Sequence, residues 1–322
     1  MDAATRSTVR PADAAAISHA AGLLRDGRLV AFPTETVYGL GADATNGRAV
    51  ASIFAAKQRP QFNPLIVHVR DQAQAETYGI FNAVARQLAH AFWPGALTLV
   101  LPRRRDCVLS ELVSAGLDTV ALRVPAHPIA ARLLAASAIP IAAPSANKSG
   151  GISATTAEHV RQDLNDTVDL ILDGGAAPLG LESTVVGFQD SAPVLLRPGA
   201  VPRSEIELLV GPLAAQRDHS IQSPGQLASH YAPRAMVRLN AISVAAGEAL
   251  LAFGPSAPTG ARVSANLSPT ADLKEAAANL FAMLHTLDAS GLPIAVMPIP
   301  QHGLGEAIND RLQRASAPRE RP

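Results

Sequence analysis

Apolar runs and amphipathic segments alternate along the first two thirds of the chain. Apolar residues recur at helical spacing over residues 11–25, and the apolar run at residues 28–32 is typical of a buried strand. The same alternation predicts helices over residues 48–57, 82–92, 128–136 and 155–164, and strands over residues 64–69, 97–101, 119–124, 139–142, 168–172, 183–188 and 194–196. Strands and helices mixed in this way predict an α/β domain over residues 10–212.

A second, shorter region of alternation follows a break in this pattern. Residues 213–234 are polar or interrupted by proline and glycine, so we interpret them as a linker. Beyond it, the pattern predicts strands over residues 236–239, 249–253, 262–265 and 294–297, and helices over residues 271–287 and 303–314. Short strands alternating with helices predict a small parallel α/β domain over residues 235–314.

The composition narrows the class of protein. The chain has 322 residues, of which 48% are hydrophobic and 17% charged, so it can bury a large core and is not disordered. Its 27 basic and 27 acidic residues balance, so no overall positive field draws it to nucleic acid or to a membrane. The first residues lack the apolar core of a signal peptide, and no apolar run reaches the length of a membrane span. We therefore expect a cytoplasmic protein with no membrane partner.

Residue types that often bind metals are few or scattered. Cys107 is the single cysteine, so the chain can form neither an internal disulfide nor a cysteine-rich metal site. The nine histidines show none of the short spacings that hold zinc on one helix. The sequence therefore predicts no metal site built by the protein alone.

Polar side chains concentrate in two segments that adjoin predicted strands near the N-terminus. The first segment, residues 33–41, includes Thr36. The second segment and its strand contain Lys57, Arg59, Asn63 and His68. Cations, hydroxyls and amides at strand ends indicate a site for an anionic ligand. Taken alone, however, two cations at a helix end are also typical of a solvated surface, and a histidine on a strand is more often part of a packed core.

Further polar groups lie at the ends of later predicted strands. Ser145 and Asn147 follow one strand in a loop of small residues that lacks the spacing of a Walker loop. Arg123, Ser183 and Arg197 lie at the ends of three others. Each group alone is typical of a surface turn or an ion pair, but several at successive strand ends indicate one shared site.

Tyr231 is an aromatic residue inside the predicted linker, where small polar residues are the rule. It either closes over a site as part of a lid or packs at the junction between the domains. The residues alone favour neither interpretation.

Together, these segments resemble the YrdC-like threonylcarbamoyl-adenylate synthase family in its long form. The matching motifs, in the family's order within residues 25–200, are residues 33–44, Lys57-x-Arg59-Pro60-x-x-Asn63-Pro64-Leu65, Phe92-Trp93-Pro94-Gly95, Arg123-Val124-Pro125, Pro144-Ser145-Ala146-Asn147-x-Ser149-Gly150, Gly180-x-Glu182-Ser183-Thr184-Val185 and Leu196-Arg197-Pro198-Gly199. The resemblance implies a twisted open α/β sheet with a deep cationic cavity and a smaller Rossmann-like C-terminal domain. It also implies a linker that lies over the mouth of the cavity.

The resemblance implies a nucleotidyltransferase that converts L-threonine, bicarbonate and ATP into threonylcarbamoyl-adenylate and pyrophosphate. The product would pass to the machinery that transfers the threonylcarbamoyl group to tRNA beside the anticodon. Mg²⁺ is implied as a cofactor held mainly by the ATP phosphates. Lys57 and Arg59 are implied as the catalytic cations.

The same resemblance assigns two sets of binding residues. The threonine contacts, with Arg123 pairing the carboxylate, are Thr36, His68, Arg123 and Ser183. The ATP contacts are Lys57, Arg59, Asn63, Thr119, Ser145, Asn147, Thr155, Arg197 and Tyr231.

Two other functions stay open at this point. A carbamoyl-adenylate-forming enzyme would use a related domain, but that domain normally belongs to a much longer chain with cysteine-rich zinc segments, which this sequence lacks. A non-catalytic RNA-binding protein would use the cavity for phosphates, but the balanced charge and the lack of an aromatic and basic stripe argue against it. The sequence leaves direct binding of tRNA undecided.

Overall fold

A mixed ten-stranded sheet organises the larger part of the protein in the computed structural model, which describes residues 8–214, 223, 225 and 230–318. Its strands are β1 (Thr8–Pro11), β2 (Val30–Pro33), β3 (Tyr38–Asp43), β4 (Ile66–His68), β5 (Leu97–Pro102), β6 (Thr119–Arg123), β7 (Ile141–Ala142), β8 (Leu170–Asp173), β9 (Thr184–Gln189) and β10 (Ala192–Arg197). They lie in the order β1-β8-β2-β3-β7-β4-β6-β5-β9-β10. Strand β4 pairs in parallel with β6, whereas β7 runs antiparallel to both β3 and β4.

Helices cover both faces of this sheet. They are α1 (Ala14–Arg25), α2 (Gly47–Lys57), α3 (Gln72–Glu76), α4 (Ala83–Phe92), α5 (Glu111–Ser114), α6 (Pro128–Ser137), α7 (Ala157–Leu164) and α8 (Arg203–Val210). On one face, Leu24 of α1 and Leu133 of α6 pack with Phe32 of β2. On the other, α2, α4, α5, α7 and α8 bury their apolar residues against the sheet in a larger cluster. Both sheet faces are therefore buried, and polar side chains gather where strands and loops meet.

Helix α2 illustrates how local sequence places two of the predicted cations. Its N-terminus is capped by Asn46, whose side-chain oxygen accepts from the N–H of Arg48 at 3.0 Å. The helix ends at Lys57, and Gln58 adopts a left-handed conformation with φ of 51°. This turn separates the paths of Lys57 and Arg59, which come to lie in different surroundings.

Strand β3 begins inside the polar segment at residues 33–41, which was predicted to lie beside a strand. Its residues Tyr38–Asp43 pair antiparallel with β2. Glycine disfavours strands, but here it is required for packing: a Cβ at Gly41 would lie 2.8 Å from Phe32 Cε1 and 2.9 Å from Ile141 Cγ2. Close approach of large neighbours thus overrides the local propensity, and the polar turn shortens to residues 34–37.

The C-terminal part forms a separate four-stranded sheet. Its elements are β11 (Val237–Arg238), β12 (Ala249–Ala252), β13 (Ser264–Asn266), α9 (Leu273–Asp288), β14 (Ile294–Val296) and α10 (Leu304–Ser316). The strands lie in the order β11-β14-β12-β13, and every pair is parallel. The predicted fold class, an open α/β sheet with a smaller parallel α/β domain, is confirmed.

The two sheets share one apolar junction. Val37, Ile152 and Leu181 of the first part belong to the same buried cluster as Leu280 and Phe281 of α9. Gly180 approaches α9 so closely that a Cβ there would lie 2.4 Å from the carbonyl oxygen of Ala278. The junction is therefore close-packed.

The domain boundaries at residues 212 and 235 stay predictions. Of the predicted linker, residues 215–222, 224 and 226–229 lie outside the described residues. Among the helices that are described, none combines the length and apolar character required to cross a membrane.

Candidate active site

A cavity opens where the β2–β3 turn meets the ends of β4, β6 and β10 and the start of β9. Its volume is about 40 Å³, and its mouth is open to solvent. Eight of the thirteen predicted site residues line it, and these are Thr36, Arg59, His68, Arg123, Ser145, Ser183, Arg197 and Tyr231. These residues span nearly two hundred positions of the chain, so the fold brings together what the sequence separates.

Arg123 anchors the wall of the cavity formed by the β2–β3 turn. Its Nη1 donates to Thr36 Oγ1 at 2.9 Å, and its Nε donates to the carbonyl oxygen of Gly95 at 3.1 Å. Its Nη2 forms an ion pair with Glu35 Oε1 at 2.5 Å, with both side chains almost fully buried. The turn is tightened by Thr34, whose Oγ1 lies 2.8 Å from Thr36 Oγ1. Arg123 and Thr36 therefore form one rigid hydrogen-bonded group.

Glu35 is a functional candidate that the sequence analysis did not single out. Burial alone would raise the pKa of its carboxyl, but the charge and hydrogen bond of Arg123 outweigh burial and lower this pKa. Glu35 Oε2 also accepts from the N–H of Ala126 at 3.1 Å. The carboxylate is thus ionised and partly neutralises Arg123. Its position between two threonines of a matched motif was the available signal.

His68 lies on the same side of the cavity. It is 3% exposed and meets Phe32 edge-on, with ring centroids 6.2 Å apart. Burial and the nearby charge of Arg123 lower its pKa to about 3, so the imidazole is neutral at physiological pH. Its Nδ1 is buried and has no partner among the described residues. A neutral ring with an unpaired nitrogen can exchange a hydrogen bond with a ligand.

Two further arginines define the opposite wall. Arg59 donates from Nη2 to the carbonyl oxygen of Pro64 at 2.9 Å, and among the described residues no carboxylate pairs with it. Burial lowers the pKa of Arg59 to about 10, so it still carries its charge near neutral pH. Arg197 donates from Nη2 to the Ser183 carbonyl oxygen at 2.8 Å and to Ser183 Oγ at 3.2 Å. Two buried cations on one wall attract an anion.

Lys57 occupies a different position from Arg59. Its Nζ donates to the carbonyl oxygen of Ser145 at 2.6 Å and to that of Asn147, and it does not line the cavity. Burial, with some repulsion from Arg59, holds its pKa well below the usual value. Asn147 in turn donates from Nδ2 to the carbonyl oxygen of Gly151 at 2.9 Å. Lys57 and Asn147 therefore shape the loop that presents Ser145.

Asn63 and Tyr231 carry polar atoms that the described protein does not satisfy. Both amide atoms of Asn63 are buried without a partner, and so is the hydroxyl of Tyr231. Buried polar groups in native proteins are nearly always hydrogen-bonded, so the unpaired hydroxyl of Tyr231 in the cavity lining indicates a ligand, whereas Asn63 is fully buried and outside that lining. Tyr231 lines the cavity, and a Cβ at Gly225 would lie 2.6 Å from its hydroxyl oxygen.

Five predicted ATP contacts lie outside the cavity lining, and besides Lys57, Asn63 and Asn147 these are Thr119 and Thr155. Thr119 begins β6 and is four residues before Arg123, which places it about 13 Å along the strand from Arg123. Thr155 is buried, with its Oγ1 3.3 Å from Nδ1 of His159. Both assignments stay predictions.

Glu182 and His230 line the cavity and were not among the predicted site residues. Glu182 Oε1 accepts from Ser153 Oγ, and Glu182 Oε2 pairs with Arg311 of α10 at 2.8 Å. Burial and the cations Arg59 and Lys57 hold the pKa of His230 well below its usual value. Glu182 lies in a matched motif and His230 directly precedes Tyr231, but their partners lie far away in the sequence.

The fold and the site define a class: a two-domain α/β protein with a buried cationic cavity built for an anionic substrate. A family model described as "Telomere recombination" (Sua5, YciO and YrdC) matches residues 22–199, and one described as "Threonylcarbamoyl-AMP synthase, C-terminal domain" matches residues 201–317. The chain belongs to the Sua5/YciO/YrdC family and carries the Sua5 C-terminal domain, which confirms the resemblance inferred from its motifs.

Relatives match over nearly the whole chain. A threonylcarbamoyl-AMP synthase of Bacillus subtilis is 42% identical, with 94% of this chain and 93% of the relative covered. One of Pyrococcus abyssi is 41% identical, with 92% and 93% covered. The crystal structure of P. abyssi Sua5 complexed with L-threonine superposes with a TM-score of 0.88 at 39% identity, covering 96% of each chain.

Proposed function

We propose that this protein is a threonylcarbamoyl-AMP synthase. It would convert L-threonine, bicarbonate and ATP into threonylcarbamoyl-adenylate, pyrophosphate and water. The observation that carries the proposal is the cavity itself, with Arg59 and Arg197 on one wall and the group of Arg123, Thr36 and His68 on the other. The names of the relatives and the threonine in the P. abyssi structure support the same reaction.

The chemistry requires positioning and cations rather than a protein nucleophile. The threonine amine attacks the carbon of bicarbonate, a carbon–oxygen bond breaks, and the amine proton leaves with that oxygen as water; with carbon dioxide, the dehydrated form, the amine adds to the carbon and loses only a proton. An oxygen of the resulting carbamate then attacks the α-phosphorus of ATP. The bond from the α-phosphorus to the bridging oxygen breaks, and pyrophosphate leaves. Negative charge develops on the phosphoryl oxygens, where buried arginines act most strongly. Holding both substrates in one cavity removes much of the entropic cost of the two steps.

Threonine would bind on the wall formed by Arg123. The guanidinium would bind the threonine carboxylate while it stays paired with Glu35, because that ion pair holds Arg123 in place. Thr36, His68 and Ser183 would orient the remaining polar groups. The neutral imidazole of His68 suits this role, because it can accept a hydrogen bond and carries no charge that would repel Arg123.

ATP would bind along the opposite wall. Arg59 and Arg197 would contact the phosphates, and the unpaired amide of Asn63 would supply further hydrogen bonds. Lys57 and Asn147 would act by shaping the loop of Ser145, and Lys57 would contact phosphate only if its ammonium left the two carbonyls that now hold it. Tyr231 would contact the nucleotide through its hydroxyl, with Thr119 and Thr155 as outlying contacts.

Mg²⁺ would enter with the ATP phosphates. Among the described residues no group of three or more histidine, cysteine, aspartate or glutamate side chains is placed to hold a metal. Glu182, which lines the cavity, and Glu35, which neighbours Thr36 in the chain, are both paired with arginines. The residues present therefore fit an ion carried by phosphate and water, which would neutralise charge on the leaving group.

The product would serve the transfer of the threonylcarbamoyl group to tRNA. A mixed carbamic–phosphoric anhydride is labile, so a partner that accepts it must act soon after its release.

Release of pyrophosphate tests the proposal. We expect purified protein with Mg²⁺ and ATP to release pyrophosphate only when threonine and bicarbonate are both present, and mass spectrometry should detect threonylcarbamoyl-adenylate. Arg59→Ala should abolish release, whereas Arg161→Ala, which removes an exposed arginine paired with Glu158, should leave it unchanged. Release that requires carbamoyl phosphate instead of threonine would favour the carbamoyl-adenylate enzyme. No release under any condition would refute a synthase and favour RNA binding.

A further inference from the structure

Arg311 of α10 is fully buried, with 0% of its side chain exposed, although it belongs to the C-terminal domain. Its Nε donates to Glu182 Oε2 at 2.8 Å, and its Nη2 donates to the Pro198 carbonyl oxygen at 2.9 Å. The guanidinium carbon lies 4.9 Å from the centroid of the Tyr231 ring. Its Nη1 pairs with the adjacent Asp310 at 2.5 Å. One side chain of the second domain thus contacts three separate segments outside it.

Each of these three segments presents a residue that lines the cavity. Glu182 directly precedes Ser183, Pro198 directly follows Arg197, and Tyr231 lines the cavity itself. The two loops also hold one another, because Arg197 donates to the Ser183 carbonyl oxygen at 2.8 Å. A displacement of Arg311 would therefore move Ser183, Arg197 and Tyr231 together.

The packing around these loops leaves little room for adjustment. The N–H of Ala200 donates to the Glu182 carbonyl oxygen at 2.9 Å. A Cβ at Gly199 would lie 2.4 Å from both the carbonyl carbon of Ser183 and the backbone nitrogen of Thr184, so the two backbones are in direct contact. Such packing transmits a displacement at one loop to the other.

The charges agree with a fixed arrangement. Burial alone would raise the pKa of the Glu182 carboxyl, but Arg311 and then Arg197 outweigh burial and lower this pKa. Burial would lower the pKa of Arg311, but Tyr231, Glu182 and Asp310 raise it overall. Both groups stay ionised, and each compensates the other away from water.

We propose that Arg311 is a positioning residue for adenylate formation, through which the C-terminal domain fixes the loop of Glu182 and Ser183 and the ring of Tyr231. Phe281 of α9 assists, since its ring stacks on Tyr231 with centroids 5.6 Å apart. The inference rests on the proposed function, because it concerns the rate of that reaction. It gives the second domain a direct part in the geometry of the active site.

Substitution of Arg311 by methionine tests this inference, because methionine retains apolar bulk and removes both the charge and the hydrogen bonds. We expect kcat/KM for threonine to fall about 10- to 100-fold in Arg311→Met, the loss that misplacement of reacting groups produces. Arg203→Met is the matched control. Arg203 also joins the two domains, through Glu306 at 2.7 Å, but it is 39% exposed and does not line the cavity. The control should keep wild-type turnover.

A second variant separates positioning from simple neutralisation of a buried charge. In Arg311→Met/Glu182→Gln no bare carboxylate remains, so the melting temperature should recover even if Arg311→Met folds poorly. If Arg311 positions Pro198 and Tyr231, the double variant stays at least about tenfold slower than Glu182→Gln alone. Equal rates in these two variants, or wild-type kcat/KM in Arg311→Met, would overturn the inference. Wild-type protein that forms no adenylate would instead overturn the proposed function.

Discussion

Removal of Glu35 should destabilise the protein strongly, because it leaves Arg123 as a buried cation without its carboxylate. The side chain of Arg123 is 4% exposed and that of Glu35 is 10% exposed, so water replaces the lost carboxylate only in part. Breaking a buried ion pair in this way costs about 3–5 kcal/mol. Glu35→Ala should lower the free energy of unfolding by that amount, as measured by urea unfolding monitored by circular dichroism.

Two comparisons make this prediction specific. Glu158→Ala removes an exposed carboxylate paired with Arg161 and should leave the urea midpoint within experimental scatter. Glu35→Leu/Arg123→Met replaces the whole pair with apolar groups and should be more stable than Glu35→Ala, since neither charge is left alone. If Glu35→Ala loses less than about 1 kcal/mol, Arg123 finds other compensation and the described ion pair is not what fixes the turn.

Three further results are expected. The free energy of unfolding should fall as the pH drops from 6.5 toward 3, because the pKa of His68 is about 3 in the folded chain and higher in the unfolded chain. In His68→Gln, the urea midpoint should depend less on pH across this range. Asn63→Ala should raise KM for ATP about tenfold. The melting temperature of the free protein should stay the same or rise, because the buried amide has no partner among the described residues. A lowered melting temperature with unchanged KM would contradict this. Lys57→Ala and Arg59→Ala should each cripple pyrophosphate release and leave the circular dichroism spectrum intact, and full activity in both would refute the assignment of this segment to ATP.

Elements with strong local signals were predictable from the sequence. Helix α4 runs from Ala83 to Phe92 within the predicted residues 82–92, because Asn82 caps its start and its apolar spacing is regular. The parallel C-terminal sheet followed from short apolar runs separated by helices. In contrast, β3 carries two glycines that propensity disfavours, and the close neighbours Phe32 and Ile141 explain why one of them, Gly41, is needed.

The site could be predicted as a set of residues more readily than as a set of contacts. The motifs indicated cations and hydroxyls that share one cavity, but not that Lys57 turns its ammonium to backbone carbonyls. Glu35 and Arg123 are 88 residues apart, and Glu182 and Arg311 are 129 apart. The folded sheet and the domain junction bring such distant residues into contact, and short-range patterns of polarity do not predict these contacts.

The buried pair of Glu182 and Arg311 also bears on how the protein unfolds. Separating the two domains would break this pair and expose apolar residues of the junction, such as Val37, Leu181 and Phe281, to water, so separation carries a penalty before either domain has melted. The two domains should therefore unfold together, and calorimetry should record a single cooperative transition. A first domain dissected from the second would lose the partner of Glu182 and would expose Val37, Ile152 and Leu181 to water.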